Sequence, residues 1–292
     1  MGKIMITGAL GNVGGYVAKY AIENGEDVVA ADINVKALEE KYQKQCDCVY
    51  FDFTDINTFD TALQDVDRIF IMRPPHLGQP EDLKPFIEKL KSIQDIKMVC
   101  FLSLLGVDKN PVPPHHKIEK YIEQARLPFC HIRPSFFMQN LSGVHAFEIK
   151  YFDNIVVPVK KAVTSFIDAQ DIGEITAYVL SNPENHHNHA YSITGPEVIN
   201  YDEVAQILSE ELGRKIVYKN PKPRLAKKYW IDIRQLDKKY ATVMGMLYMM
   251  TRFGGAKTVT HTFEDIMHKK PQTFRQFVQK NLDAWQKENH SS

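Results

Sequence analysis

The stretch Lys3-Ile4-Met5-Ile6-Thr7-Gly8-Ala9-Leu10-Gly11-Asn12-Val13-Gly14 decides how this chain folds. A short apolar run at Lys3–Thr7 reads as a buried β-strand, and the amphipathic run over 12–24 reads as a helix. Three glycines lie between and just inside them. Gly8 permits the tight turn, Gly11 lets a pyrophosphate approach the backbone, and Gly14 lets the helix pack close to the sheet. The phosphates then meet the helix N-terminus, where free N–H groups and the helix dipole favour anions. The opening therefore predicts a dinucleotide-binding βαβ unit, with Leu10, Asn12 and Val13 completing its loop.

Working outward, the pattern repeats. Strands are expected at Val28–Asp32, 49–53, 68–72, Met98–Leu102 and 129–132. Helices are expected at 35–43, 56–63, 80–92 and 117–124. Apolar runs without alternation indicate strands covered on both faces, as a parallel sheet requires. The expected fold is α/β: a doubly wound parallel Rossmann sheet over residues 1–150 with a small C-terminal α/β cap. In residues 151–292 a helix is expected at 171–180, a strand at 190–194 and a helix at Tyr201–Leu212. The Lys/Arg- and Pro-rich run 214–228 reads as a surface strand and linker, and 273–285 as a closing amphipathic helix. This second region is expected to carry the substrate cap, with elements returning to the Rossmann core.

Asp32 ends the second strand. A carboxylate there accepts both ribose hydroxyls of NAD(H) and repels a 2′-phosphate, so NAD(H) is expected over NADP(H), with Lys36 close enough to soften the preference. Asp52 and Phe53, ending the third strand, are placed to flank the adenine, although Asp52 reads equally as a helix cap. Met72, Arg73 and Pro74 end the fourth strand at the edge where ligands bind in open α/β sheets, and His76 follows them towards the pocket. Ser103, after the fifth strand, is placed to bond the nicotinamide ribose or the substrate.

Composition narrows the classes. The 292 residues hold 36 Lys and Arg against 36 Asp and Glu, which removes the usual electrostatic argument for a nucleic-acid or membrane partner, and neither is expected. Cys46, Cys48, Cys100 and Cys130 read as reduced packing residues, suited to the cytoplasm. A strand starting at Lys3 leaves no room for a secretory leader, and residues 240–253 are too short and too polar at their edges to span a bilayer. His186, His187 and His189 lack a Cys or carboxylate partner at ligand spacing, so no metal site is expected.

Further segments carry a resemblance. His115-His116-Lys117-Ile118-Glu119-Lys120-Tyr121-Ile122-Glu123, the run from Pro128 to Asn140, Phe166-Ile167-Asp168-Ala169-Gln170-Asp171-Ile172-Gly173 and Lys270-Pro271-Gln272-Thr273-Phe274-Arg275-Gln276-Phe277 join the glycine loop. Together they resemble the NmrA-like group of atypical short-chain dehydrogenase/reductases over nearly the whole length. The resemblance implies a Rossmann fold, a small cap and a pocket between them. Relatives of that kind include quinone reductases, isoflavone-type reductases and redox-sensing regulators.

The chain also departs from ordinary short-chain dehydrogenases. These use a Tyr-x-x-x-Lys pair to pass a proton. Here only Tyr218 and Lys222 have that spacing, and Pro221 separates them. His115 falls where related reductases carry a Lys or His, and is the candidate proton donor or, equally, a loop histidine capping the helix expected from 117, with His116 and Lys117 as fallbacks and Ser103 assisting. Pro134 and Phe136 are placed against the nicotinamide, and Phe136, Phe137 and Asn140 against a flat acceptor, although Phe136 and Phe137 read equally as simple core. The Met-rich run 244–250 reads as adaptable core or pocket lining. The function implied is NAD(P)H-dependent reduction of a small flat electrophile such as a quinone. The alternative is a dinucleotide-sensing regulator that binds a protein partner without turnover; a homodimer is also open.

Overall fold

The structure, a computed structural model, describes residues 2–287. Its described strands are β1 (Lys3–Thr7), β2 (Val28–Asp32), β3 (Asp47–Tyr50), β4 (Val66–Ile71), β5 (Met98–Leu102), β6 (Phe129–Pro134), β7 (Asn154–Val156), β8 (Val163–Thr164), β9 (His189–Ile193), β10 (Ile199–Asn200) and β11 (Val217–Lys219). Seven form one parallel sheet in the order β3-β2-β1-β4-β5-β6-β9. The expected doubly wound Rossmann sheet is present. The chain runs outward from β1 to β3 and then returns to place β4 on the other side of β1. That reversal leaves a crevice beyond the carboxyl ends of β1 and β4, where such sheets bind ligands.

The chain divides into two compact units. The first runs to Pro134 and takes in Ala169–Ile193; the second comprises Ser135–Asp168 and continues from Thr194. In the first unit, Met5, Ile69, Ile71, Val99 and Phe101 pack one sheet face against Phe86, Ile87, Leu90, Ile118 and Ile122 of the covering helices. Elsewhere in this unit, helix Asn12–Glu23 meets helix Ala169–Ser181 so closely that a Cβ on Gly173 would lie 2.3 Å from Tyr16 Cβ. At the amino edge of the sheet, the fully buried Arg68 donates to Glu26 (2.9 Å), Asp67 (2.9 Å), the Gly2 carbonyl (2.6 Å) and the Leu180 carbonyl (3.3 Å). Such a charge is tolerable inside only because its donors are paired.

The second unit is built around Tyr201, Trp230, Tyr248, Phe274, Phe277 and Trp285. β8 pairs antiparallel with β10, and β7 pairs parallel with β11.

Several boundaries differ from expectation. β3 begins at Asp47 and stops at Tyr50, ahead of Asp52 and Phe53. The helix expected from 117 starts at Pro114, because proline is well suited to a first helical turn that needs no donor; His115 and His116 therefore lie on it. The expected basic linker holds β11 and a helix, Pro223–Asp232, again opened by proline. A further helix, Lys238–Arg252, is capped by Asp237, whose carboxylate accepts from Lys239 N (2.8 Å) and Tyr240 N (3.0 Å). The closing segment is helical only over Phe274–Lys280, with a 3-10 turn at Leu282–Ala284. Among the described residues, no helix is long and apolar enough to cross a membrane.

Candidate active site

The glycine loop has the geometry its spacing predicts. Gly8 sits at φ +63°, in the left-handed region that glycine alone enters cheaply. Its N–H reaches the Ala31 carbonyl at 3.0 Å, and its own carbonyl accepts from Gly11 N at 2.9 Å. A Cβ on Gly14 would lie 2.3 Å from the Gly8 oxygen and 2.8 Å from its carbonyl carbon, so only glycine lets the helix settle on the turn. Gly11 caps helix Asn12–Glu23 with no side-chain bond to the first turn, and no acidic residue lies in that turn. Both features favour an incoming phosphate.

Thr7 joins this loop to the next strand in the crevice. Its hydroxyl donates to Phe70 O at 3.0 Å and accepts from Met72 N at 2.9 Å. Met72 in turn lies over the loop, its Cε where a Cβ on Gly8 would stand. Lys41 and Tyr42, which the sequence reading did not single out, complete the cradle. Lys41 Nζ donates to Ala9 O at 2.9 Å and Tyr42 Oη to the same oxygen at 2.7 Å. Their only sequence signal was a helix end facing the loop.

Among the buried polar atoms of the first unit without a hydrogen-bond partner are Arg73 Nε and His115 Nδ1, just past β4 and β5, while the Ser103 hydroxyl, after β5, is turned to the Glu119 carboxylate. Buried polar groups are normally satisfied, so an unsatisfied pair at a sheet's carboxyl edge is a feature that needs a reason. Arg73 is held by its other nitrogen to the carbonyls of Leu77 and Pro74. Burial, with the positive charge of Arg73, pushes the His115 pKa down to about 3. His115 is thus a neutral imidazole near pH 7. A neutral ring still donates one N–H to a developing oxyanion, which is a role distinct from an imidazolium acid.

Other candidates fall elsewhere. Lys117 is exposed and faces Glu81 at 3.7 Å. His116 Nδ1 is 2.9 Å from Val107 O, and His76 is exposed on its turn. Asp52 accepts from Thr54 N and Oγ1, both at 2.8 Å, which makes it a turn residue. Phe53 is buried, 4.8 Å from Phe51 and 5.4 Å from Phe86 between ring centroids, so its faces belong to the core. Pro74 is half-buried beside Arg73, and Pro134 closes β6 with its carbonyl on Leu105 N.

In the second unit, Phe136 lies 5.7 Å from Tyr248 between ring centroids, Phe137 bridges to Ile167, and the Asn140 carbonyl accepts from His145 N at 3.0 Å. The Met run is divided: Met244 and Tyr248 are buried, while Met246 and Met250 are exposed.

The cysteines are all free thiols. His186 Nδ1 lies 2.9 Å from Tyr191 Oη, His187 Nε2 2.9 Å from Lys97 O, and His189 Nδ1 2.8 Å from His187 O. Among the described residues, Glu119, Glu123 and His131 bring donor atoms within 4.8 Å of one another. Arg133 already forks both Glu119 oxygens, at 2.9 and 2.7 Å. Burial raises the Glu119 carboxyl, and that guanidinium outweighs it, leaving the pKa below the ordinary value.

Comparison with known proteins places this geometry. A Dictyostelium discoideum protein, prestalk A differentiation protein A, is 30% identical over 286 residues, which are 96% of this chain and 92% of that protein. An Escherichia coli NADPH-dependent quinone oxidoreductase solved with NADPH superposes with TM-score 0.83 at 18% identity, over 96% of this chain and 99% of that one. A Citrobacter sp. triphenylmethane reductase complexed with NADP(H) gives TM-score 0.81 at 16% identity, over 96% and 99%.

These complexes correct the expected preference for NAD(H): structures sharing this fold hold NADP(H). The physical reason lies around Asp32. Its carboxylate accepts Asn34 N at 3.3 Å as the next helix begins, and its charge acts on the Lys41 ammonium. Lys36 stands on the same helix with its side chain in solvent. A carboxylate tied to the backbone, with the Lys41 ammonium in its field, does not exclude a 2′-phosphate. A profile of the NmrA-like family matches residues 1–278, and with the glycine loop, the sheet order and the Dictyostelium relative it shows that this chain belongs to the NmrA-like family.

Proposed function

We propose that this protein is an NADPH-dependent reductase of small, flat electrophiles of the quinone class. The observation that carries the reading is the unsatisfied buried pair Arg73 Nε and His115 Nδ1, in the same unit as the glycine turn and beyond the carboxyl ends of β4 and β5, with Ser103 following β5. An NADPH-dependent quinone oxidoreductase and a triphenylmethane reductase share the fold, in agreement with this reading.

Gly8, Leu10, Gly11, Asn12, Val13 and Gly14 would hold the pyrophosphate, and Asp32, Lys36 and Lys41 would meet the adenosine end. Met72, Arg73, Pro74 and Ser103 would border the rest of the cofactor. Bound NADPH supplies a hydride, and solvent supplies the proton that completes reduction of a quinone to a hydroquinone. His115, neutral, offers an N–H to the substrate oxygen as negative charge grows there, and the cationic Arg73 strengthens that field. Pro134, Phe136, Phe137 and Asn140 remain candidates for the acceptor's surroundings. We place the activity in the cytoplasm, on the reduced state of the thiols, and assign it no nucleic-acid partner. The sensor reading is not favoured, because the fold's reductase neighbours point to turnover.

The test follows NADPH fluorescence on mixing with protein, then absorbance on adding a soluble benzoquinone. Binding followed by quinone-dependent NADPH loss is expected. Tight binding with no loss across quinones, azo dyes and triphenylmethane dyes would overturn the reductase assignment.

A further inference from the structure

The zero net charge of the chain conceals a strong local imbalance. Residues 214–257 contain twelve Lys and Arg but only Asp232 and Asp237 as acids. Three of these cations are committed: Arg214 pairs with Asp153, Arg234 with the buried Glu148, and Arg252 with the Pro158 carbonyl. By contrast, Lys222, Arg224, Lys227, Lys228, Lys238, Lys239 and Lys257 make no ion pair in the described structure.

These cations surround apolar surface. Helix Lys238–Arg252 buries Ala241, Met244 and Tyr248 and turns Val243, Met246 and Met250 outward, with Phe253 following at its end. Phe253 is 80% exposed, Ile233 65%, Leu225 57% and Met246 53%. One hollow joins Arg224 and Lys227 to Met246, Met249, Met250 and Phe253; a second joins the same two cations, with Lys228 and Lys238, to Leu225 and Ile231, and holds one acid, Asp232. Apolar centre and basic rim are thus one continuous surface of the second unit.

We propose that this face of helices Pro223–Asp232 and Lys238–Arg252 docks on an anionic lipid surface. Aliphatic and thioether side chains inside a rim of unpaired lysines match the interfacial helix, which lowers its apolar face to the acyl boundary while its cations meet anionic headgroups. Charge decides against the competing occupants. A second copy in an isologous contact would set seven unpaired cations against seven more. A nucleic acid would accept the cations but leave Leu225, Met246, Met250 and Phe253 without an apolar counterpart. The contact lies on the surface and involves no spanning segment.

The experiment is sedimentation of the full chain with vesicles of phosphatidylcholine alone and of phosphatidylcholine mixed with phosphatidylserine, at low and raised salt. The protein is expected to pellet with the mixed vesicles only, and to be released by salt. Lys227→Glu with Lys228→Glu should weaken binding by roughly tenfold or more. Phe253→Ser, at an exposed position that leaves the fold intact, should weaken it separately. Circular dichroism melts matching the parent show that both variants are folded. Failure to pellet with the anionic vesicles, or pelleting unchanged by charge reversal, overturns the proposal. A dimer in sedimentation velocity that Phe253→Ser dissolves would overturn it in favour of self-association, and tighter capture of duplex DNA than of vesicles would overturn it in favour of nucleic acid.

Discussion

Thr7 holds Met72: its hydroxyl accepts the Met72 N–H at 2.9 Å while donating to Phe70 O at 3.0 Å. One fully buried side chain thereby ties the strand that leads into the glycine loop to the exit of β4, which Arg73 follows. Thr7→Val keeps the shape and removes both bonds. It should destabilise the protein by about 1–3 kcal/mol, because the buried N–H and carbonyl lose their partner. Urea denaturation measures the loss, and NADPH titration should show weaker binding by the same protein.

Two glycine substitutions should act in opposite directions. Gly14→Ala drives a methyl to 2.3 Å from the Gly8 oxygen, and backbone on that side cannot yield cheaply. Loss of roughly 1–3 kcal/mol or more is expected, together with NADPH binding. Gly245→Ala, inside helix Lys238–Arg252, meets nothing within 4 Å and needs no unusual φ. It should stabilise by about 0.5–1 kcal/mol. Paired thermal melts check both.

Asp32→Asn should tighten NADPH binding several-fold and weaken NADH binding. The carboxylate faces a 2′-phosphate with repulsion and free ribose hydroxyls with hydrogen bonds. Parallel fluorescence titrations with the two cofactors decide it, and equal shifts for both would count against a ribose-side position for Asp32.

Stability should fall with acid well before the carboxylates titrate. Burial holds His131 at about 4, partly opposed by Glu119 and Glu123, and burial with the Arg234 charge holds His145 at about 3. Both are depressed, so between the ordinary pKa of 6.5 and those values the unfolded chain binds protons that the native protein refuses. Their stabilising contribution is complete above about pH 6.5 and is lost as pH falls towards 4 and then 3, at up to about 1.4 kcal/mol per unit for each ring. Urea midpoints at pH 7 and pH 5 measure the slope, and His145→Gln should flatten it.

The imidazole of His115 should leave no limb near pH 6.5 in the kcat/KM profile, since it is neutral down to about pH 3. His115→Ala should slow quinone reduction by roughly tenfold to a hundredfold, the cost of one positioned donor. A wild-type limb near pH 6.5 that this variant abolishes would instead make it an imidazolium acid.

Sequence alone determined the parallel sheet and the glycine turn, because both rest on local rules. Apolar runs set β1, β2 and β5 to the residue, and the spacing of Gly8, Gly11 and Gly14 admits one kind of turn. Boundaries slipped where local signals were shared: the helix expected from 117 missed the turn that Pro114 opens, and the basic run 214–228 concealed the helix that begins at Pro223 and buries Trp230. Only the tertiary structure decided the rest. It set Lys41 on Ala9, moved Phe53 into the core, and brought Arg73, across 42 positions of sequence, into the field of His115. Local propensity and pattern reach only a few residues along the chain, whereas charge, burial and unsatisfied hydrogen bonds depend on which distant segments the fold sets side by side.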